Sequence, residues 1–398
     1  MSDLLSVWLN EVLVGKLFLA PGEQIVFTFD PTYLEDSNRP MLSQSFLNRT
    51  GDVISTVRAT HTQLPSFFSN LLPEGQLRQY LADKGGVNPA REFKLIELLG
   101  KDLPGAVLIK PMDGLHTLPN TIDSGQEQPK DAYRFSLAGI QLKFSALGEK
   151  NGGLTIPASG VGGDWIIKLP ALNYPHVPEN EWSMMQLAKK VGIEVPEIKL
   201  VNISDIAGLP DLGVLSGKKA LAVKRFDRGP AGERIHIEDF AQVYGLYPIN
   251  KYSKVSYNNM ANLIWRLMGE AGLKDFIKRL IVTVMIGNGD MHLKNWSLIY
   301  RDGKKAELAP AYDYVSTIPY LPQDKLALTL SDTKDMRLVT SEYFKKLAKK
   351  AQLPELVVMQ AVEETVSLLR AAWESNKSHY PLTKEITERI DEHISHFS

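Results

Sequence analysis

The order of periodicities along this chain constrains its fold more than any other feature. Up to about residue 230, short apolar runs alternate with turn formers, whereas from about 236 onward apolar residues recur at helical spacing. Residues 1–60 carry the alternations "EQIVFTFD" and "DVISTVRAT", separated by "PGE" and "DPTYLEDSNRP", and read as a small β-rich unit. Within it, "MSDLLSVWLNEVLVGKLFLA" predicts two strands around a turn at Asn10-Glu11. "SFFSNLLPEGQLRQYLADKGG" spaces Phe67, Phe68, Leu71, Leu72, Leu77, Tyr80 and Leu81 as a helix does and stops at a Gly pair. "EFKLIELLGKD" predicts a further helix and "LPGAVLIK" a strand, after which 111–131 is polar, aperiodic and read as an exposed linker.

Beyond the linker, "RFSLAGIQLKFSALGE", "DWIIKLPAL", "EIKLVNI" and "KALAVKRFDR" predict strands, and "ENEWSMMQLAKKVGI" a helix between them. The helical segments that follow include "NNMANLIWRLMGE", "KDFIKRLIVTVMI" and "SEYFKKLAKKAQLPELVVMQAVEETVSLLRAAWE". Strands first and helices after is an α+β order, which excludes the regular βαβ alternation of a doubly wound sheet. Three units follow from this: 1–110, 132–227 and 228–398, with 111–131 linking the first two.

With 398 residues the chain is long enough for two or three cores. Forty-five Lys and Arg against 46 Asp and Glu leave a net charge of −1, so no global basic field draws nucleic acid. The absence of cysteine excludes disulfides, thiolate metal sites and cysteine nucleophiles, and fits a cytoplasmic protein. Asp3, Asn10, Glu11 and Lys16 interrupt the apolar N-terminus, and no uncharged run approaches the roughly 18 to 20 residues of a membrane helix. The lysines of "FKKLAKKAQ" read as a solvated helix face, with DNA contact as the alternative.

The most concentrated chemistry lies in "VMIGNGDMHLKNWSLIY", residues 284–300. An Asp followed five residues later by an Asn, here Asp290 and Asn295, has the spacing of a protein-kinase catalytic loop. The competing reading is an Asx-turn with a helix cap. Phosphoryl transfer needs a second metal-binding carboxylate, and "LAPAYDYVS" supplies Asp313 eighteen residues after Asn295. It also needs a cation on the phosphates, for which "DWIIKLP" offers Lys168 within an apolar strand. The helix after it carries Glu179 and Glu181, either of which can pair with that lysine. "SLAGIQLK" is a small-residue turn suited to covering phosphates with backbone N–H groups. His292 has no further His or Cys at zinc-ligand spacing, and reads as structural or nucleotide-adjacent.

"FSLAGIQLK", "WIIKLP", "ENEWSMMQLAKKVGI", "LAVKRFDR", "IEDFAQVYG", "GNGDMHLKNWSLIY" and "LAPAYDYVS" together resemble, in order and character, the HipA family of toxin serine/threonine kinases. "VWLNEVLVGKL", "FFSNLLPEG" and "LPGAV" resemble that family's N-terminal subdomain, so the likeness covers most of the chain. It implies a distant protein-kinase-like, two-lobed α+β fold preceded by a β-rich subdomain. It also implies ATP and Mg²⁺ as cofactors, a HipB-type DNA-binding antitoxin as partner, and DNA reached mainly through that antitoxin. Carried over by position, Asp290 is the catalytic base, Asn295 and Asp313 the Mg²⁺ ligands, and Lys168 a phosphate contact. Ala138, Gly139, Ile140, Gln141, Leu142 and Lys143 match the phosphate loop, and Ser136 the serine that such kinases autophosphorylate. Lys224, Arg225 and Phe226 match the segment whose backbone holds adenine, with Lys224 where a Glu is common. His292, Lys294 and Tyr312 join the ATP-contacting set. The implied substrate is a cytoplasmic protein, such as the glutamyl-tRNA synthetase. Two other readings share the same residues: a small-molecule kinase of the antibiotic-phosphotransferase type, and a catalytically silent scaffold for antitoxin or DNA.

Overall fold

Leu4–Leu9 and Val12–Ala20 pair antiparallel about the turn at Asn10, whose φ of 52° an asparagine tolerates. In the computed structural model, which describes residues 3–112, 143–148, 154–156, 163–171, 173–209 and 215–397, they form the centre of a five-stranded sheet. Its order is Thr60–His61, Gln24–Phe29, Val12–Ala20, Leu4–Leu9, Val107–Pro111. The alternation seen in "QIVFTF" becomes one buried face: Ile25, Phe27 and Phe29 point inward and meet Phe46, Phe67 and Phe68 in an aromatic core. Two expectations fail here. "DVISTVRAT" contributes only isolated bridges at Val53 and Thr56 before the short Thr60–His61 strand. The helix over 66–86 divides into Ser66–Ser69 and Gly75–Lys84 around Pro73, which cannot continue a helix interior.

The second sheet has the order Ile206–Ala207, Leu154–Thr155, Lys143–Gly148, Trp165–Lys168, Lys219–Lys224, Ile198–Asn202. It has a small core of its own around Ile167, Phe144 and Ala222. The helix Val177–Lys190 lies between this sheet and the C-terminal half, burying Met184, Met185 and Leu187 in the large core of the latter. That core is organised by Tyr257–Met285, where the two expected helices follow each other across a break in helical geometry at Gly269 (φ 64°, ψ −149°). Ser341–Ala351 and Glu355–Asn376 pack beside it. The half also carries a three-stranded sheet of His236–Asp239, Ser297–Tyr300 and Glu307–Leu308, its middle strand falling in the strand-like "WSLIY". Among the described residues no helix is long and apolar enough to cross a membrane. Most of the expected 111–131 linker lies outside the described residues.

A buried polar clasp joins the N-terminal unit to this small sheet. Glu238, fully buried, accepts from Ser43 Oγ at 2.5 Å, the Gln44 amide at 3.0 Å and the Tyr300 phenol at 2.5 Å. His236 stacks on Tyr300 and bonds through Nε2 to the Leu42 carbonyl at 2.8 Å. Burial pushes the Glu238 carboxyl up to about 7, against the lowering effect of Ser43 and Tyr300, and pushes His236 down to about 4. The two act oppositely on stability. Glu238 keeps its proton longer in the fold than in the unfolded chain, so stability is lost as pH rises from about 4.5 to about 7. His236 stays neutral in the fold while the unfolded chain binds a proton, so stability is gained between about 4 and 6.5. Glu238→Gln removes only the first effect. In urea denaturation, the stability of that variant relative to the parent is expected to rise between pH 4.5 and 7, by on the order of 3 kcal/mol; a difference independent of pH would refute the assignment.

Candidate active site

Lys168 ends the strand Trp165–Lys168, and in the antiparallel pairing it stands directly opposite Lys143 on one side and Leu221 on the other. Opposed residues share a face of the sheet, so the two lysines project together. The Lys168 ammonium, 4% exposed, donates to Glu181 and to Asp313, and Lys143 Nζ reaches the other Asp313 oxygen at 3.2 Å. Of the two glutamates left open by sequence, Glu181 is therefore the partner. Glu179, two positions earlier and off that helix face, lies 3.8 Å from His176 Nδ1. Burial by itself would raise the Asp313 carboxyl, but Lys143 and Lys168 outweigh it and hold the group well below the usual carboxylate range. Burial likewise opposes the charge on Lys168, and Asp313 with Glu181 overcomes it and raises that lysine. Glu181 is pushed up by burial, with Lys168 opposing.

The loop bearing Asp290 begins where the long helix ends, at Gly287, whose φ of 67° turns the chain. Asn288 then stitches two loops together. Fully buried, it accepts from the Asp290 amide at 3.0 Å and donates Nδ2 to the Asp313 carbonyl at 3.1 Å. Asp313 itself holds a φ of 57°, a left-handed conformation that an aspartate accepts at modest cost and that is concentrated at functional sites. Asn295 donates Nδ2 to the Asp290 carbonyl at 2.9 Å, which fixes the amide and leaves its oxygen for other use. His292 accepts the Lys294 amide on Nδ1 at 3.2 Å, and burial lowers its basicity against the pull of Asp290. The Asp290 carboxylate is exposed and accepts the Tyr252 phenol at 2.6 Å.

Thus Lys143, Lys168, Asp290, His292, Asn295 and Asp313 belong to one connected site. Ser136 and the stretch Ala138, Gly139, Ile140, Gln141 and Leu142 lie outside the described residues. At the segment joining the lobes, the amides of Lys224 and Arg225 are donated to the Glu197 and Asp164 carbonyls at 2.8 Å each. The Phe226 ring packs 5.6 Å from that of Tyr312, whose phenol is engaged with Ser297 Oγ and the Lys294 carbonyl. The Arg225 side chain is structural: it forks onto Asp227 (2.8 and 3.0 Å) and reaches Asp102 of the N-terminal unit at 3.3 Å.

Lys294 has partners in the N-terminal unit: its ammonium donates to the Asn70 carbonyl (2.9 Å) and Asn70 Oδ1 (3.1 Å), with Glu74 3.6 Å away, and also to Asp239 Oδ2 (2.9 Å). The Asp290 loop is thereby anchored to the N-terminal unit. Sequence reasoning missed Asn288 and Tyr252. The first had a signal in the "GNGD" turn, and the second had none, since it approaches from 38 residues upstream.

The donors present suit Mg²⁺. Asp313 and the free oxygen of Asn295 are hard ligands, and Asp313 already draws two cationic side chains to its carboxylate.

A strand lysine tied at once to a helix glutamate and to the aspartate of a second loop marks the two-lobed, protein-kinase-like class of fold. The chain matches the HipA N-terminal domain over residues 5–110 and the HipA-like C-terminal domain over 135–373, and it belongs to the HipA family. It is 48% identical over 372 residues, 92% of this chain and 90% of the relative, to Y4dM of Sinorhizobium fredii, which is named as a kinase. It is 28% identical over 374 residues, 83% and 79% of the two chains, to the serine/threonine-protein kinase toxin HipA of Shewanella oneidensis. The fold is shared with Shewanella oneidensis HipA as solved with HipB and operator DNA, at a TM-score of 0.75, 23% identity, and coverage of 98% of this chain and 95% of that one.

If Lys294 braces the loop and does not bind nucleotide, Lys294→Met leaves half-buried Asp239 with only the Gln242 amide on its carboxylate and costs roughly 2 kcal/mol of stability in urea denaturation. Mg-ATP affinity measured by calorimetry should be retained. Lost affinity with unchanged stability would restore the nucleotide role.

Proposed function

We propose that this chain is an ATP- and Mg²⁺-dependent serine/threonine protein kinase and the toxin of a toxin–antitoxin pair. The observation that carries the proposal is the Lys168 ammonium bridging Glu181 and Asp313 beside a loop that presents Asp290 and Asn295. Lys168 and Lys143 supply positive charge for the phosphates of ATP. Asn295 and Asp313 would hold Mg²⁺, which when bound neutralises charge on the phosphates undergoing transfer. Asp290 accepts the proton of the acceptor hydroxyl as its oxygen bonds to the γ-phosphorus and the bond to the leaving ADP breaks. His292, held neutral by burial, adds no competing charge beside Asp290. The paired rings of Phe226 and Tyr312 offer a seat for adenine.

The toxin role follows family membership and the name of the Shewanella oneidensis relative. On that reading a HipB-type antitoxin is the partner, as in the solved relative, and DNA is reached through it. The protein acts in the cytoplasm on a protein substrate, with an aminoacyl-tRNA synthetase such as the glutamyl enzyme as the candidate. Ser136 is the candidate site of self-inactivation. Residues 1–110 serve as a brace, 132–227 as the nucleotide lobe and 228–398 as the catalytic lobe.

Asp290→Asn keeps the fold and Mg-ATP binding but is expected to lower phosphate incorporation by on the order of 10²–10⁴-fold. Phosphoproteomics after brief expression, compared with this variant, identifies the substrate. Incorporation at the parental rate would sink the assignment.

A further inference from the structure

Among the residues around Asp290, Tyr252 belongs to no element that the proposed chemistry uses. It follows the single helical turn Pro248–Asn250, yet its phenol donates to Asp290 Oδ1 at 2.6 Å. We infer that Tyr252 occupies the acceptor position at Asp290, standing in for a substrate hydroxyl, and that it swings aside when an acceptor arrives. This rests on Asp290 being the base.

The geometry is that of an acceptor. A base must lie within about 2.6–3.2 Å of the hydroxyl it deprotonates, and the Tyr252 oxygen meets that requirement on the carboxylate's exposed side. Tyr252 is held there by the catalytic loop itself. Its ring packs edge-on to His292, with centroids 4.9 Å apart, and the Leu293 amide donates to the neighbouring Lys251 carbonyl at 3.2 Å. Lys334 Nζ reaches the Tyr252 carbonyl at 3.3 Å, and Lys251 Nζ lies 5.7 Å from the ring centroid. The side chain nevertheless remains 44% exposed. Asn288, which braces the same loop permanently, is 0% exposed. A phenol placed by its backbone but open to water is free to rotate away, at the cost of one hydrogen bond that the incoming hydroxyl restores. Burial and the adjacent carboxylate keep it protonated, so it remains a donor.

The consequence is a base shielded at one oxygen. While the phenol sits on Asp290 Oδ1, that oxygen orients no water, and hydrolysis of ATP in the absence of an acceptor is slowed. Tyr252→Phe keeps the ring on His292 and removes only the hydroxyl.

The test is the initial rate of ADP release by the full chain with Mg-ATP and no protein acceptor. Tyr252→Phe is expected to raise kcat about threefold to tenfold, the weight of one net hydrogen bond, with KM for ATP and Tm unchanged. Tyr252→Ala, which opens the position further, is expected to raise it at least as much. An unchanged or lowered kcat in both variants overturns the inference. If it fails while Asp290→Asn still abolishes turnover, the kinase reading stands without it. Failure of the parent chain to bind Mg-ATP overturns both.

Discussion

The ammonium of Lys168 in the protein interior is the interaction on which the rest of the site depends. Removing a charge of that size from water costs several kcal/mol, and such a group persists only when opposite charge and hydrogen bonds replace its hydration. Here the replacement comes from two elements distant in sequence, the helix bearing Glu181 and the loop bearing Asp313. Satisfying one lysine therefore fixes the sheet, the helix and the Asp313 loop relative to each other. The second lysine, Lys143, shares Asp313 from the neighbouring strand, so the loop is held by the sheet at two points.

The N-terminal unit acts on this arrangement through polar contacts. Asn70 and Glu74 meet Lys294 of the Asp290 loop, Asp102 meets Arg225 of the segment joining the lobes, and Ser43 and Gln44 meet Glu238. Hydrogen bonds and ion pairs are directional, so contacts of this kind set orientation as well as proximity. The unit thus braces the Asp290 loop and the segment joining the lobes. Tyr252 differs from these braces in being exposed.

Much of the fold was legible because it rests on local periodicity. The Leu4–Leu9 and Val12–Ala20 hairpin, the helix Val177–Lys190 and the strand Lys219–Lys224 follow directly from apolar spacing and turn residues. Where spacing was overridden, a specific residue did it. Pro73 divides one helical pattern, while Gly269 separates the two helices of Tyr257–Met285 where the spacing itself marks two. "DVISTVRAT" has strand composition but finds only bridge partners, since pairing is a tertiary property.

The sequence by itself determined the α+β order, the spacing of Asp290 with Asn295, and the presence of Lys168 and Asp313 as the other stations of the site. These depend on residue type and local separation, which a linear chain displays. Only the tertiary structure decided that Glu181 and not Glu179 answers Lys168, that Lys294 turns to Asn70, and that Tyr252 covers Asp290. Each of those outcomes is a competition among several partners of similar chemistry for one charged group. It is settled by which backbone brings a side chain within hydrogen-bonding distance, and spacing along the chain does not encode that.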